Sequence, residues 1–211
     1  MKIINYIYLL YDEESRECAI IDPAWDISSL EKYLSENNLI LKYVFLTHSH
    51  IDHTNKAEYL TTKYNAMAVM SNDEAFYYHF NCFNLMLIDD DDEFFLGGYK
   101  IKCLLCPGHT AGSMCYMTDR FIFTGDTLFT EGCGICFDDG ADSLKMFRSL
   151  QRLKSYVDKS VIVYPGHKYQ LNIGCDFEYV LKHNIYLQID DPEVFCKFRD
   201  RKNQKNLFNF N

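Results

Sequence analysis

The chain opens on a short, mostly apolar and aromatic run that stops at an acidic cluster, which predicts a strand entering a turn. Residues 3 to 11 and 17 to 21 read as a hairpin that turns at residues 12 to 15 and ends at Asp22-Pro23. Ser28 with Glu31 has the form of a capping box, and Ile27, Leu30 and Leu34 then fall on one helical face to about Asn37. Residues 39 to 46 are nearly unbroken apolar sequence with β-branched and aromatic members, the mark of a buried strand. A helix near 54 to 64, a short strand at 66 to 70 and a helix near 72 to 80 follow. The acidic run at 89 to 93 reads as a solvated loop leading into a hairpin, 94 to 96 and 99 to 105, turned by Gly97-Gly98. Residues 113 to 118 and 120 to 124 make another hairpin across Asp119. A helix at 141 to 154 has Leu144, Phe147, Leu150 and Leu153 inward, residues 161 to 164 form a strand, and the pattern turns helical after His167. Strands and helices alternate without internal repeats or a Pro- or Gly-rich linker. This predicts an α/β chain with one main body over residues 1 to 170 and a C-terminal helical segment over 171 to 211.

Composition narrows the function. The 211 residues are 48% apolar and 24% charged, as in ordinary globular proteins, which excludes disordered, collagen-like and coiled-coil chains. Lys and Arg number 21 against 30 Asp and Glu, a net charge of -9 that repels a phosphate backbone. Nucleic acid is therefore not the expected partner, and any anion site must be local. No apolar run approaches the roughly 20 residues that cross a bilayer, so no membrane partner is expected. The apolar stretch at 6 to 11 meets Asp12-Glu13-Glu14 with no small-residue cleavage site, which predicts a strand and not a signal peptide. Nine cysteines, an odd number without regular spacing, fit free thiols and a cytoplasmic location. Cys103-x-x-Cys106 and Cys133-x-x-Cys136 have zinc-ribbon spacing, yet in a strand i and i+3 face opposite ways, so Cys103 and Cys106 should diverge. Cys18, Cys82, Cys115, Cys175 and Cys196 read as small buried apolar residues.

The densest chemistry is the run Thr47-His48-Ser49-His50-Ile51-Asp52-His53. Neutral imidazoles and carboxylates are good ligands for zinc or iron, and an i, i+2 spacing just past a strand lets two rings converge on one ion. His109 follows Pro107-Gly108, Asp126 follows Thr124-Gly125, and His167 follows Pro165-Gly166, each directly after an apolar strand-like run. Five histidines and two aspartates at strand ends suffice for two metals with a bridging carboxylate and a bridging water. Zn, Fe and Mn are not distinguished by such ligands. His79 and His183 lie outside the pattern and read as ordinary helix residues.

These motifs resemble the metallo-β-lactamase superfamily: a T-H-x-H-x-D-H loop, P-G-H-T-x-G-S at 107 to 113, G-D-T-L-F at 125 to 129 and a final P-G-H. The stretch at 125 to 134 is most similar to glyoxalase II, the hydroxyacylglutathione hydrolases. The resemblance implies a four-layer αββα sandwich with two zinc ions at one edge. Carried over position by position, it implies that His48, His50 and His109 hold one metal and Asp52, His53 and His167 the other, with Asp126 bridging. It further implies a thioesterase in which a metal-bridging hydroxide attacks the acyl carbon while Asp52 and Asp126 orient it. A thiolate, with a free-thiol pKa near about 8.5, then departs without an acid.

On the substrate side, glyoxalase II-like sequences carry a basic residue and a Tyr after G-C-G, where this chain has Ile135 and Phe137. Tyr169 is retained. Arg199 and Lys202 are similar to the family's C-terminal R-x-x-K segment that grips a carboxylate, and three residues apart on a helix they share a face. The short stretch between His167 and Arg199 implies an abbreviated substrate lid. This short form also resembles the zinc hydrolases of polyketide assembly lines, which brings thioesters of CoA or an acyl carrier protein beside glutathione as substrates. A lactonase or esterase, an iron-dependent persulfide dioxygenase and a non-catalytic binding relative are the rival readings; the last should have lost ligands, and this chain keeps all seven. Oligomeric state is not written in the sequence.

Overall fold

The computed structural model describes residues 5–201, so Lys202 lies outside the described residues. Strands β1 (Tyr8–Tyr11) and β2 (Glu17–Ile21) pair antiparallel, as the hairpin reading predicts. β2 shows why the chain builds layers: Cys18 and Ile20 point into one core while Ala19 and Ile21 point into another, so the strand is buried on both faces. Its sheet continues in parallel through β3 (Ile40–Phe45), β4 (Met67–Ser71) and β5 (Leu85–Ile88) in that order. On its outer face Ile27, just ahead of α1 (Ser28–Glu36), and Leu34 within it, with Ala57 and Leu60 from α3 (Ala57–Tyr64), close the first core. The one-turn α2 (Ile51–Thr54) and α4 (Asn72–Tyr78) complete this half.

The second sheet runs β11-β10-β9-β8-β7-β6, with β6 (Glu93–Leu96), β7 (Tyr99–Leu105), β8 (Met114–Met117), β9 (Phe121–Gly125), β10 (Ile162–Pro165) and β11 (Cys175–Asp176). Only the β9–β10 pair in it is parallel, and helix α5 (Ser143–Tyr156) lies between those two strands in sequence. The two sheets meet through Ala19, Phe45 and Val69 on one side and Phe94, Tyr116 and Phe123 on the other. Phe45 and Tyr116 rings lie 4.6 Å apart, and the Tyr116 hydroxyl donates to the carbonyls of Leu46 (2.7 Å) and Val69. Each such ring withdrawn from water contributes about 1.5–3 kcal/mol, and the Tyr116 hydrogen bonds pin the second sheet to the chain just ahead of His48. Beyond the second sheet, α5, α6 (Phe177–His183) and α7 (Pro192–Arg199) bury Met146, Leu150, Val180 and Phe195 against Leu104, Ile122 and Val163. The result is the expected αββα sandwich.

Local expectations needed correction in several places. Ser28 is the first residue of α1, and both its N–H and hydroxyl donate to Asp26, so the Ser28–Glu31 capping box does not form. Leu144 is exposed, and Met146, Ser149, Leu150 and Leu153 make the buried stripe of α5. The chain after His167 is irregular to Gly174 and then adds β11 before turning helical. The acidic run is exposed but not merely solvated: Asp90 and Asp91 pair with Arg152, and Asp91 also with Lys102. Cys103 lies between the sheets and Cys106 under α5, on opposite faces as strand geometry requires. All nine cysteines are free; Cys82, Cys175 and Cys196 are half-buried where full burial was expected.

Candidate metal centre

The seven histidines and aspartates singled out in the sequence converge at one edge of the sandwich. His48, His50, Asp52 and His53 follow β3, His109 follows β7, Asp126 follows β9 and His167 follows β10, so four strands deliver donors from their C-terminal ends. They form three overlapping sets: His48, His50 and His109; His48, His53 and Asp126; Asp52, His53 and His167. Within each set one donor atom per residue lies within 4.8 Å of the others. His50 Nδ1 is 3.1 Å from both His48 Nε2 and His109 Nε2, and His53 Nε2 is 3.3 Å from His167 Nε2. Two nitrogens on one tetrahedral ion at roughly 2.0–2.1 Å are themselves about 3.3 Å apart, so this spacing suits a shared cation. Asp126 reaches both groups, with Oδ1 3.5 Å from His53 Nε2 and Oδ2 3.7 Å from His109 Nε2 and 3.2 Å from His167 Nε2.

Partners behind the rings fix which nitrogen faces the centre. Asp22, buried and at φ 52, accepts the Thr47 N–H (2.7 Å), the Thr47 hydroxyl (2.6 Å) and His53 Nδ1–H (2.9 Å). Having given its proton to Asp22, the Thr47 hydroxyl can only accept from His48 Nδ1–H at 3.0 Å. His109 Nδ1 donates to the Ile135 carbonyl at 2.7 Å. This network assigns a bare Nε2 lone pair to His48, His53 and His109, each directed at the centre, the tautomer a metal ligand needs. The backbone makes room for the ring edges: a Cβ on Gly166 would sit 2.5 Å from Asp126 Oδ1 and 2.7 Å from His53 Cε1.

Electrostatics agree with the donor set. Burial holds the His48 imidazole well below its ordinary value, and burial with the His109 ring lowers that of His50, which favours the neutral form of both. Burial also opposes charge on His53, but Asp126 and Asp22 override it and push the ring up to about 9, so without a cation its Nε2 holds a proton that a metal ion would displace. Burial resists ionisation of Asp126 as well, and the His53 and His167 rings nonetheless hold its carboxyl well below the usual range. Among the described residues, the ion pairs of Asp22, Asp52 and Asp126 are all with imidazoles. Asp126 Oδ1 is buried without a hydrogen-bond partner among the described residues. Carboxylates crowded together against imidazoles, with no Lys or Arg paired to them among the described residues, fit divalent cations.

The substrate-side residues are more dispersed. Ile135 is half-buried, and its carbonyl carries His109. Phe137 is 53% exposed, and the Arg199 guanidinium lies 5.7 Å from its ring. Arg199 is only 3% exposed; its Nη1 donates to the Cys133 carbonyl and, at 3.0 Å, to the Tyr186 hydroxyl. It stands behind the loop of Cys133, at the buried end of α7. Tyr169 packs edge-on against Phe129 at 4.7 Å, and burial pushes its phenol up, keeping it a protonated donor. His79 caps α4, and His183 Nδ1 donates to the Tyr179 carbonyl, both away from the centre.

Sequence reading missed Asp22, Asn5 and Glu74. Asp22 carried one usable signal, a carboxylate at the same strand end as the ligands. Asn5 donates from its side chain to the Asp52 carbonyl and bridges with His167, tying the start of the described chain to that group.

The metallo-β-lactamase superfamily profile matches residues 3–167. The chain belongs to the metallo-β-lactamase superfamily. Within it, the chain is 50% identical over 98% of its length to a probable polyketide biosynthesis zinc-dependent hydrolase, PksB, of Bacillus subtilis, covering 92% of that protein. It is 32% identical to a hydroxyacylglutathione hydrolase of Pelagibacter ubique, with 96% of this chain and 81% of the relative aligned. Among solved structures, ETHE1 from Myxococcus xanthus superposes with a TM-score of 0.84 at 28% identity, covering 93% of this chain and 85% of that one. As a superfamily member, the chain keeps at each of the four motif loops the residue types that the sequence resemblance required.

Proposed function

We propose that this protein is a zinc-dependent hydrolase that cleaves an acyl thioester, carried by an acyl carrier protein, CoA or glutathione. The observation that carries the reading is the convergence of seven donors, among which His48, His53 and His109 are turned toward one centre by hydrogen bonds behind their rings. His48, His50 and His109 would hold one ion, Asp52, His53 and His167 a second, and Asp126 would lie between them. Divalent cations in such a site supply a nucleophilic water at neutral pH and Lewis-acid stabilisation of a carbonyl oxygen.

The chain's own residues then do the rest. Asp52, its side chain 23% exposed, orients the incoming nucleophile at Oδ2, with Asp126 opposite. The Tyr169 phenol, kept protonated by burial, would donate to the thiol-side chain of the substrate. Ile135 and Phe137 present an apolar edge where a carboxylate-bearing thiol such as glutathione would want polar groups, which favours a pantetheine arm. A thiolate, leaving with a pKa near roughly 8.5, asks for no general acid, and among the described residues no Lys pairs with the site's carboxylates. The names of the polyketide and hydroxyacylglutathione hydrolases support this substrate class.

The test joins metal analysis of purified protein to hydrolysis of an acyl carrier protein thioester, acetyl-CoA and lactoylglutathione. A lactone and a persulfide with oxygen uptake serve as the rival arms. The expected result is two zinc equivalents and fastest turnover of a pantetheine thioester, with both zinc content and turnover lost in Asp126→Ala. Oxygen consumption with one iron, or full activity in Asp126→Ala, would overturn the reading.

A further inference from the structure

Glu74 is a buried carboxylate that the proposed chemistry does not use. It is 0% exposed, and no cation pairs with it among the described residues. An ionised carboxylate so withdrawn from water is costly unless hydrogen bonds replace its hydration, so the donors it collects are informative. Oε1 accepts both the N–H and the hydroxyl of Ser49, each at 2.7 Å. Oε2 accepts the Gly112 N–H at 2.9 Å. Ser49 stands between His48 and His50, and Gly112 is in the loop of His109. One side chain therefore joins the two loops that bring these three imidazoles together.

The local sequence explains why so short a segment reaches both loops. Ser71-x-x-Glu74 opens α4 with capping-box spacing, and half of the box forms, Glu74 N–H donating to Ser71 Oγ at 3.1 Å. The other half does not: the Glu74 carboxylate is directed to Ser49 and Gly112, while Ser71 Oγ donates to the Gly112 carbonyl at 2.5 Å. Gly112 is held so close that a Cβ there would lie 2.2 Å from Glu74 N. The knot of Ser71, Glu74, Ser49 and Gly112 leaves the two loops little freedom to separate.

We propose that Glu74 is a positioning residue that sets the spacing of His48 and His50 against His109, and thereby the affinity and geometry of the ion they hold. The inference rests on the reading above that these three rings bind a metal. In Glu74→Gln an amide NH2 faces either the Gly112 N–H or the Ser49 donors, so one loop is released while side-chain volume is kept. Glu58→Gln is the control, because Glu58 also anchors a loop, accepting the Phe83 N–H, but away from the centre.

The experiment titrates metal-stripped full-length protein with cobalt(II) and records stoichiometry, affinity against a competing chelator, and the d–d absorption bands, with thermal melts alongside. Wild type should take up two equivalents. Glu74→Gln should fold, bind one equivalent about 10–100-fold more weakly and show shifted d–d bands, whereas Glu58→Gln should match wild type. Should Glu74→Gln fail to fold, Ser49→Ala removes one donor of the knot, and it should show a weaker form of the same loss. Wild-type affinity and bands in folded Glu74→Gln, or an equal loss in Glu58→Gln, would overturn the clamp while leaving the metal reading intact. A wild type that takes up no cobalt would overturn both.

Discussion

Asp22 orients two imidazoles through different routes, one hydrogen bond to His53 and a relay through Thr47 to His48. Replacing it by Asn keeps the shape but brings a donor into a cluster of donors, so at least one ring loses its assigned tautomer. Asp22→Asn should weaken zinc binding by about 10–100-fold, read by competition with a chromophoric chelator; unchanged affinity would show that the rings need no such help. All seven candidate ligands were legible in the sequence because imidazole and carboxylate stand out directly after apolar strands. Asp22 and Glu74 were not, since an Asp before Pro reads as a turn and a Glu in a first helical turn reads as a complement to the helix dipole. What distinguishes them is their contacts with residues 25 or more positions away, and chain spacing carries no sign of those.

At the level of elements, strands buried on both faces were plain from their unbroken apolar runs, while β5 was missed. Its Leu85-Met86-Leu87-Ile88 run is apolar throughout but only four residues long, too short to tell a strand from a loop or helix end, and with Met86 and Leu87 exposed it is pairing with β4 that makes it a strand. The α1 capping box was mistaken because Asp26 competes for the same first turn. One helix-to-helix contact invites a pH test. Glu31 of α1 accepts from Lys63 Nζ at 2.7 Å, Tyr64 at 3.0 Å and Tyr59 at 3.2 Å on α3 and its end. Burial opposes its ionisation, but the Lys63 and Tyr64 hydrogen bonds win and hold its pKa below the ordinary 4.5. A carboxyl lowered by folding contributes stability at pH values above its unfolded pKa and loses that contribution as pH falls through its folded one. Glu31→Gln should therefore cost ~1 kcal/mol at pH 7, about 2–4 °C in Tm, and almost nothing near pH 3. An equal loss at both pH values, measured by calorimetry, would show that charge plays no part.

For the whole molecule, the sandwich follows from which faces of each strand are apolar, and the resemblance carried by the four motif loops gave its layer order. The path of the chain between His167 and α6 was not legible, since its irregular stretch has no period to read. The carboxylates Asp22, Asp52 and Asp126 gather against imidazoles at one end of the sandwich, so the folded state gains from any cation bound there. Zinc at about a hundred times its Kd adds roughly 2.7 kcal/mol per site. Stripping metal with a chelator should thus lower Tm by about 5–10 °C for one such site, reversibly on adding zinc, and an unmoved Tm would contradict tight binding to the folded chain.

The chain delivers four of the donors before residue 54, from the end of the first sheet, and the other three after residue 108, from the second. Neither half alone contains either His48-His50-His109 or Asp52-His53-His167. Ion capture is accordingly a report on when the halves find each other. In a refolding mixture with a zinc-sensitive dye, helix signal can return first, and the dye will lose its zinc only once the layers have come face to face.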